Sequence, residues 1–83
     1  SGDSIEYLII SLGQDKEAIN IADKLRNKGN KTQLMVDKTL NKALEYANAK
    51  NIQNVVVIGD EEVGSKKYQV KNMQTGKTST LKV

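Results

Sequence analysis

The sequence has no cysteine, histidine, proline, tryptophan or phenylalanine among its 83 residues. Thiolate and imidazole ligands for structural zinc are therefore missing, and so are cysteine nucleophiles and every Ser-His or Cys-His relay. No disulfide framework can form, so nothing indicates an oxidising compartment, and we expect a cytoplasmic protein. Carboxylates, lysines, hydroxyls and backbone amides are the chemical groups that remain.

Long apolar runs are also missing. The longest are Tyr7-Leu8-Ile9-Ile10 and Val55-Val56-Val57-Ile58, whereas a membrane-spanning helix needs roughly 18 or more apolar residues. We therefore expect no contact with a membrane. A chain of this length forms a single domain, which we place at residues 3–83, because Ser1-Gly2 resembles the remnant of a cleaved tag.

Positive charge is concentrated near the C-terminus, although the net charge is only +3. Five lysines and no acidic residue lie between Gly64 and Val83. Such a segment attracts polyanions without selecting RNA, DNA or a membrane. On charge alone, a solvated and solubilising surface is the commoner explanation.

The apolar pattern predicts strands that alternate with helices. Strands are predicted at residues 5–12, 32–36 and 55–58, and the helical stripes are Ala18-Ile21-Ala22-Leu25 and Leu40-Ala43-Leu44-Ala47. We expect Asp15 to cap the first helix and Asp37 or Thr39 to cap the second. Residues 67–73 and 78–83 predict a hairpin around Thr75-Gly76. The predicted fold class is α/β, with a mixed five-stranded sheet (three parallel strands plus a C-terminal hairpin) and two helices.

The segment Gly59-Asp60-Glu61-Glu62 follows the third strand, at the end where open α/β sheets place their ligands. Its carboxylates could bind a divalent metal, form a polar turn, or accept hydrogen bonds from the edges of unstacked nucleobases. Metal binding is the weakest of these, because no convincing fourth oxygen ligand is evident, although Asp15 and Asp37 are expected at the same edge. An acid–base enzyme site would need a second pocket-forming segment, which the sequence does not show.

The tyrosines are the only aromatic residues that could stack on bases. Tyr7 and Tyr46 lie beside apolar stripes, so we expect them in the core. The pattern around Tyr68 does not decide between a buried and an exposed side chain.

Two segments carry a family resemblance, Val55 to Val63 and Tyr68 to Lys77. They resemble the anticodon-binding domain of class II aminoacyl-tRNA synthetases, most closely that of histidyl-tRNA synthetases. That family's pattern is an apolar strand, Ile-Gly-acid-x-Glu-Leu, a short turn, and Val-Lys-Asn/Asp-Leu/Met-x-Thr-Gly. The sequence departs from the pattern at Val63, where Leu is common, and the family's third, C-terminal helix is missing from the predicted elements.

The resemblance implies that this domain binds a tRNA anticodon loop. Glu62 and Lys71 match family positions that contact anticodon bases, and we expect Lys67, Lys77 and Lys82 to add nonspecific attraction to phosphates. The simpler alternative for Glu62 is a surface salt bridge to Lys71.

The resemblance also implies what lies outside this chain. The catalytic domain that activates the amino acid is absent, so we expect no ligase activity and no cofactor here, with ATP and Mg²⁺ implied only for that other domain. The parent enzyme is implied to be a homodimer, and we expect the isolated domain to be a monomer. A regulatory or dimerisation module derived from the same fold is the alternative function.

Overall fold

A computed structural model describes residues 4–83, and the predicted tag remnant Ser1-Gly2 lies outside them. The strands are β1 (Tyr7–Ser11), β2 (Thr32–Met35), β3 (Asn54–Ile58), β4 (Gln69–Asn72) and β5 (Thr78–Thr80). The helices are α1 (Asp15–Asn27), α2 (Leu40–Ala49) and α3 (Asp60–Ser65). The α/β class is confirmed.

The five strands form one mixed sheet in the order β2-β1-β3-β4-β5. Strand β1 is parallel to both β2 and β3, and Ile9 lies level with Leu34 on one side and Val56 on the other. Strands β4 and β5 form the antiparallel hairpin that continues the sheet beyond β3. The predicted arrangement of three parallel strands plus a C-terminal hairpin is confirmed.

The continuous apolar run of β1 is explained by helices on both faces of the sheet. Ile9 packs in the cluster on the α1 side, whereas Leu8 and Ile10 pack in the cluster on the α2 side. All three side chains are completely buried. Since successive strand residues point to opposite faces, a central strand covered on both sides needs no polar positions.

The two predicted helices are present, but their caps differ from each other. Helix α1 begins at Asp15, with Gln14 rather than Asp15 in the cap position. The predicted cap is wrong, because the Asp15 carboxylate accepts a hydrogen bond from the Ser11 hydroxyl instead. For α2, Thr39 is the cap, and its hydroxyl oxygen accepts a hydrogen bond from the Lys42 amide at 3.2 Å.

The prediction of only two helices is wrong, because the acidic segment after β3 forms the short helix α3. Its first turn contains three carboxylates, which stabilise the positive end of a helix. The helix ends at Lys66, whose φ of 57° is left-handed. A helix of this length cannot show apolar periodicity, so its sequence is equally typical of a polar turn. This additional helix lies between β3 and β4, whereas residues 81–83, which follow β5, are not helical.

Candidate nucleic-acid interface

Hydrogen bonds join the loops at the carboxyl ends of β1 and β3. The Ser11 hydroxyl donates to Asp15 at 2.6 Å and accepts from the Gln14 amide at 3.1 Å. The Gln14 side chain then donates to an Asp60 carboxylate oxygen at 2.6 Å. This network holds the start of α3 against the start of α1, so Glu62 stands on a well-positioned element.

Glu62 has a structural role that sequence reasoning missed. One of its carboxylate oxygens accepts a hydrogen bond from the Gly59 amide at 2.8 Å, which satisfies a free N–H at the start of α3. Within residues 4–83 the carboxylate makes no other hydrogen bond. A carboxylate has about four acceptor positions, so the capping bond fixes the side chain and leaves acceptor capacity for a ligand.

Lys71 lies on β4, on the same face of the sheet as α2. It is exposed and level with Val55, which packs in the α2-side cluster. Gly59 follows Val55 by four residues, so Lys71 and Gly59 are about 13 Å apart along the strand direction. The alternative of a Glu62–Lys71 salt bridge is not seen, because the single ion pair among the described residues joins Asp23 to Arg26.

The other three predicted lysines lie at the two ends of the hairpin, and all are exposed. Leu81 bonds to Tyr68 through its amide, so the antiparallel register places Lys82 level with Lys67. At the opposite end, the Lys77 carbonyl accepts a hydrogen bond from Asn72. The structure therefore brings Lys67 near Lys82 and spreads the positive charge over the length of the hairpin, without gathering it around Glu62.

Tyr68 is buried and is not available as a base-stacking platform. Its hydroxyl donates to a Glu17 carboxylate oxygen at 2.7 Å across the gap between β4 and α1. This hydrogen bond lowers the pKa of Glu17 and raises the pKa of Tyr68 to about 12. No sequence signal linked these two residues, because they are 51 positions apart and on different kinds of element.

The other two tyrosines are half-buried and pack against the two apolar clusters, as expected for core residues. The Tyr46 hydroxyl exchanges hydrogen bonds with the Gln33 side chain at 2.9 and 3.1 Å. Among the described residues, Tyr68 is thus the one aromatic side chain that is buried rather than half-buried.

Features of metal-binding and membrane-spanning proteins are both missing from the part of the chain that the structure describes. No group of three or more acidic residues there is arranged to hold a metal ion. None of the helices among residues 4–83 is both long and apolar enough to cross a membrane.

The chain belongs to the anticodon-binding domain family, whose model matches residues 6–83. This match confirms the resemblance found in the sequence. Among its relatives is histidine–tRNA ligase 2 of Shouchella clausii, which is 42% identical over 73 residues that make up 87% of this chain and 17% of that protein. The histidine–tRNA ligase of Methanococcus vannielii is 44% identical over 69 residues, 82% of this chain and 16% of that protein.

Solved structures confirm the fold. The crystal structure of apo S. aureus histidyl-tRNA synthetase superposes with a TM-score of 0.84 and 26% identity, over 96% of this chain and 24% of that one. The RNA-binding domain of threonyl-tRNA synthetase from Cryptosporidium parvum Iowa II also gives 0.84, at 18% identity over 94% of this chain and 20% of that one, and so supports the fold alone. This chain spans about a sixth of the length of the curated relatives it matches.

Proposed function

We propose that this chain is the tRNA anticodon-binding module of a histidine–tRNA ligase and that it positions the tRNA for aminoacylation by a separate catalytic domain. The observation that carries the proposal is the family match over residues 6–83, together with relatives that are histidine–tRNA ligases. The parent enzyme would be a cytoplasmic homodimer. ATP and Mg²⁺ would serve its catalytic domain, and this domain would need no cofactor.

Glu62 is the residue that we assign to base recognition. Its carboxylate accepts hydrogen bonds only, so it suits the amino and imino groups of an unstacked base. The Gly59 amide holds the side chain in place before RNA arrives, which limits the conformational entropy lost on binding.

Lys71 would meet either a base acceptor or a phosphate, because its ammonium group is exposed on an open part of the sheet. Lys67, Lys77 and Lys82 would contact phosphates at the two ends of the hairpin. Phosphate contacts position an RNA and add affinity, whereas base contacts select its sequence.

The test compares Glu62→Gln with Glu61→Gln. Both variants remove one negative charge from the first turn of α3. In Glu62→Gln the side-chain amide oxygen can still accept the hydrogen bond from the Gly59 amide, so the helix cap survives. Binding is measured to an anticodon stem-loop carrying the histidine anticodon and to stem-loops with altered anticodons. We expect Glu62→Gln to lower the discrimination between them by about tenfold, in the range for one good base contact.

Glu61→Gln should leave that discrimination unchanged. A generic basic surface predicts something different: both variants would tighten the binding of every stem-loop equally, since each removes a charge that repels phosphates. That result would remove the base-recognition role. Self-association of the chain without RNA discrimination would instead favour the regulatory or dimerisation module.

A further inference from the structure

A cleft of about 320 Å³ opens at the C-terminal end of α2, away from the edge that carries Glu62. Its volume is at the lower end of the range for small-molecule sites. Four amide side chains and three apolar side chains line it; the residues are Asn48, Asn51, Gln53 and Gln74, with Ala47, Ile52 and Met73.

The backbone around this cleft is well defined by hydrogen bonds. The amide of Ile52 donates to the Ala47 carbonyl at 2.9 Å, which closes the end of α2 after the left-handed Asn51. The Met73 amide donates to the Gln53 carbonyl at 2.8 Å and so ties β4 to the segment before β3. The walls therefore come from three elements that are fixed to one another.

The lining of the cleft is polar but carries no charged side chain. Gln53 donates to Gln74 at 2.6 Å, so one pair of amides is already joined. Within residues 4–83 the side-chain amides of Asn48 and Asn51 make no hydrogen bond, so each can offer a donor and an acceptor to a ligand. A neutral ligand with a flat apolar face and a polar edge matches this surface.

A source of positive charge lies next to the cleft. Met73 directly follows β4, two positions after Lys71, and packs against the apolar cluster on the α2 side, the face on which Lys71 lies; the two residues are about 7 Å apart along the backbone. A phosphate at Lys71 would therefore leave an attached base within reach of the cleft. Lys50 adjoins Asn51 in sequence and adds a second exposed cation nearby.

We infer that this cleft binds one unstacked nucleobase of a single-stranded RNA whose backbone runs over Lys71. The inference rests on the proposed function, since it takes RNA as the ligand, but it adds a contact that is separate from Glu62. Adenine is the expected base, because Asn and Gln amides pair with its N6 donor and N7 acceptor.

The test uses the full chain labelled with ¹⁵N and two hexamers of equal charge, oligoadenylate and oligouridylate. Addition of oligoadenylate should shift the side-chain NH₂ signals of the four cleft amides. We expect it to bind more tightly than oligouridylate. We also expect Asn48→Ala to weaken oligoadenylate binding by about tenfold, the range for a paired base contact.

Asn41→Ala is the matched control, since Asn41 is also an exposed asparagine of α2 but lies two turns from Asn48. It should leave the affinity unchanged. Gln74→Ala provides a second cleft variant, in the exposed turn after β4, and should weaken oligoadenylate binding as Asn48→Ala does.

Unshifted cleft amides, or equal binding of both hexamers that Asn48→Ala leaves unchanged, would overturn the inference. In that case the proposed function still stands if Glu62→Gln lowers anticodon discrimination. Conversely, shifted cleft amides with no effect of Glu62→Gln would support the cleft as a base site and count against the anticodon role.

Discussion

At the scale of single residues, the hydrogen bond between Glu17 and Tyr68 joins helix α1 to strand β4. The bond favours the ionised carboxylate and the neutral phenol, so each group stabilises the other only in those two forms. It lowers the pKa of Glu17 below its usual 4.5 and raises the pKa of Tyr68 from 10.0 to about 12. A difference in pKa between the folded and unfolded states makes stability depend on pH.

We predict a pH window for this contribution. The Tyr68 phenol loses its proton at a higher pH in the folded chain than in the unfolded chain. Its contribution to the free energy of unfolding is therefore present below pH 10 and is lost as the pH rises from about 10 to about 12. The contribution of Glu17 to the free energy of unfolding is present above the pKa of the unfolded chain, and it is lost as the pH falls through the lowered pKa of the folded chain. Tyr68→Phe should therefore lower the free energy of unfolding most at neutral pH and progressively less at both extremes.

Urea unfolding at a series of pH values measures this effect. The control is Tyr46→Phe, which removes a hydroxyl bonded to the uncharged amide of Gln33. A Tyr68→Phe deficit that stays constant from acid to alkaline pH would show that the hydroxyl acts without titration.

At the scale of elements, the two longer helices begin in different ways. Thr39 provides a side-chain cap for α2, whereas no side chain caps α1, whose first turn has acidic residues instead. Helix α2 is short and has neither acidic residues in its first turn nor basic residues in its last. Its start therefore depends on the Thr39 hydroxyl more than the start of α1 depends on any single group.

We predict that Thr39→Ala lowers the free energy of unfolding by about 1 kcal/mol, the usual cost of losing an N-cap. The reason is that the Lys42 amide loses the acceptor it has at 3.2 Å. Thr39→Ser keeps a hydroxyl at this position and should cost much less. Thermal unfolding of the two variants is the measurement, and equal destabilisation would contradict the capping role.

Over the whole molecule, the acidic first turn of α3 and the lysines of the hairpin lie in different regions. The acidic first turn of α3 lies at the carboxyl edge of the parallel strands, and the hairpin at one side of the sheet carries exposed lysines. Under the proposed function, attraction to phosphates and selection of bases would fall in these two different regions. The opposite side of the sheet ends at β2, away from the hairpin.

We predict a marked salt dependence of RNA binding. Contacts with single-stranded RNA change the slope of log affinity against log salt by about −0.7 per phosphate, so three or four lysine contacts give about −2 to −3. Lys77→Ala should weaken all RNAs alike and make the slope shallower by about 0.7.

Lys31→Ala is the comparison, since Lys31 is equally exposed but precedes β2 at the far side of the sheet. Binding titrations between low and physiological salt measure both variants. An affinity that does not change with salt, or an equal effect of the two variants, would exclude the hairpin as the phosphate-binding region.

Local patterns in the sequence determined most of the fold. The apolar runs of β1 and β3, the stripe of α1 and the turn at Gly76 each depend on neighbours within a few positions, and all are present as predicted. Helix α2 is also present, but of its predicted stripe Ala43 and Ala47 are buried, whereas Leu40 is exposed. The family motif likewise identified the anticodon-binding domain, because it is continuous in the sequence. Helix α3 was missed because six residues contain no full apolar repeat.

Only the tertiary structure decided which distant residues meet. It separates Glu62 from Lys71 and pairs Glu17 with Tyr68. It also assembles the amide cleft from residues that precede β3 and residues that follow β4. These contacts depend on strand order, register and the face to which each side chain points. Strand order is a property of the packed sheet, since a parallel neighbour such as β3 reaches β1 only after a helix has crossed over.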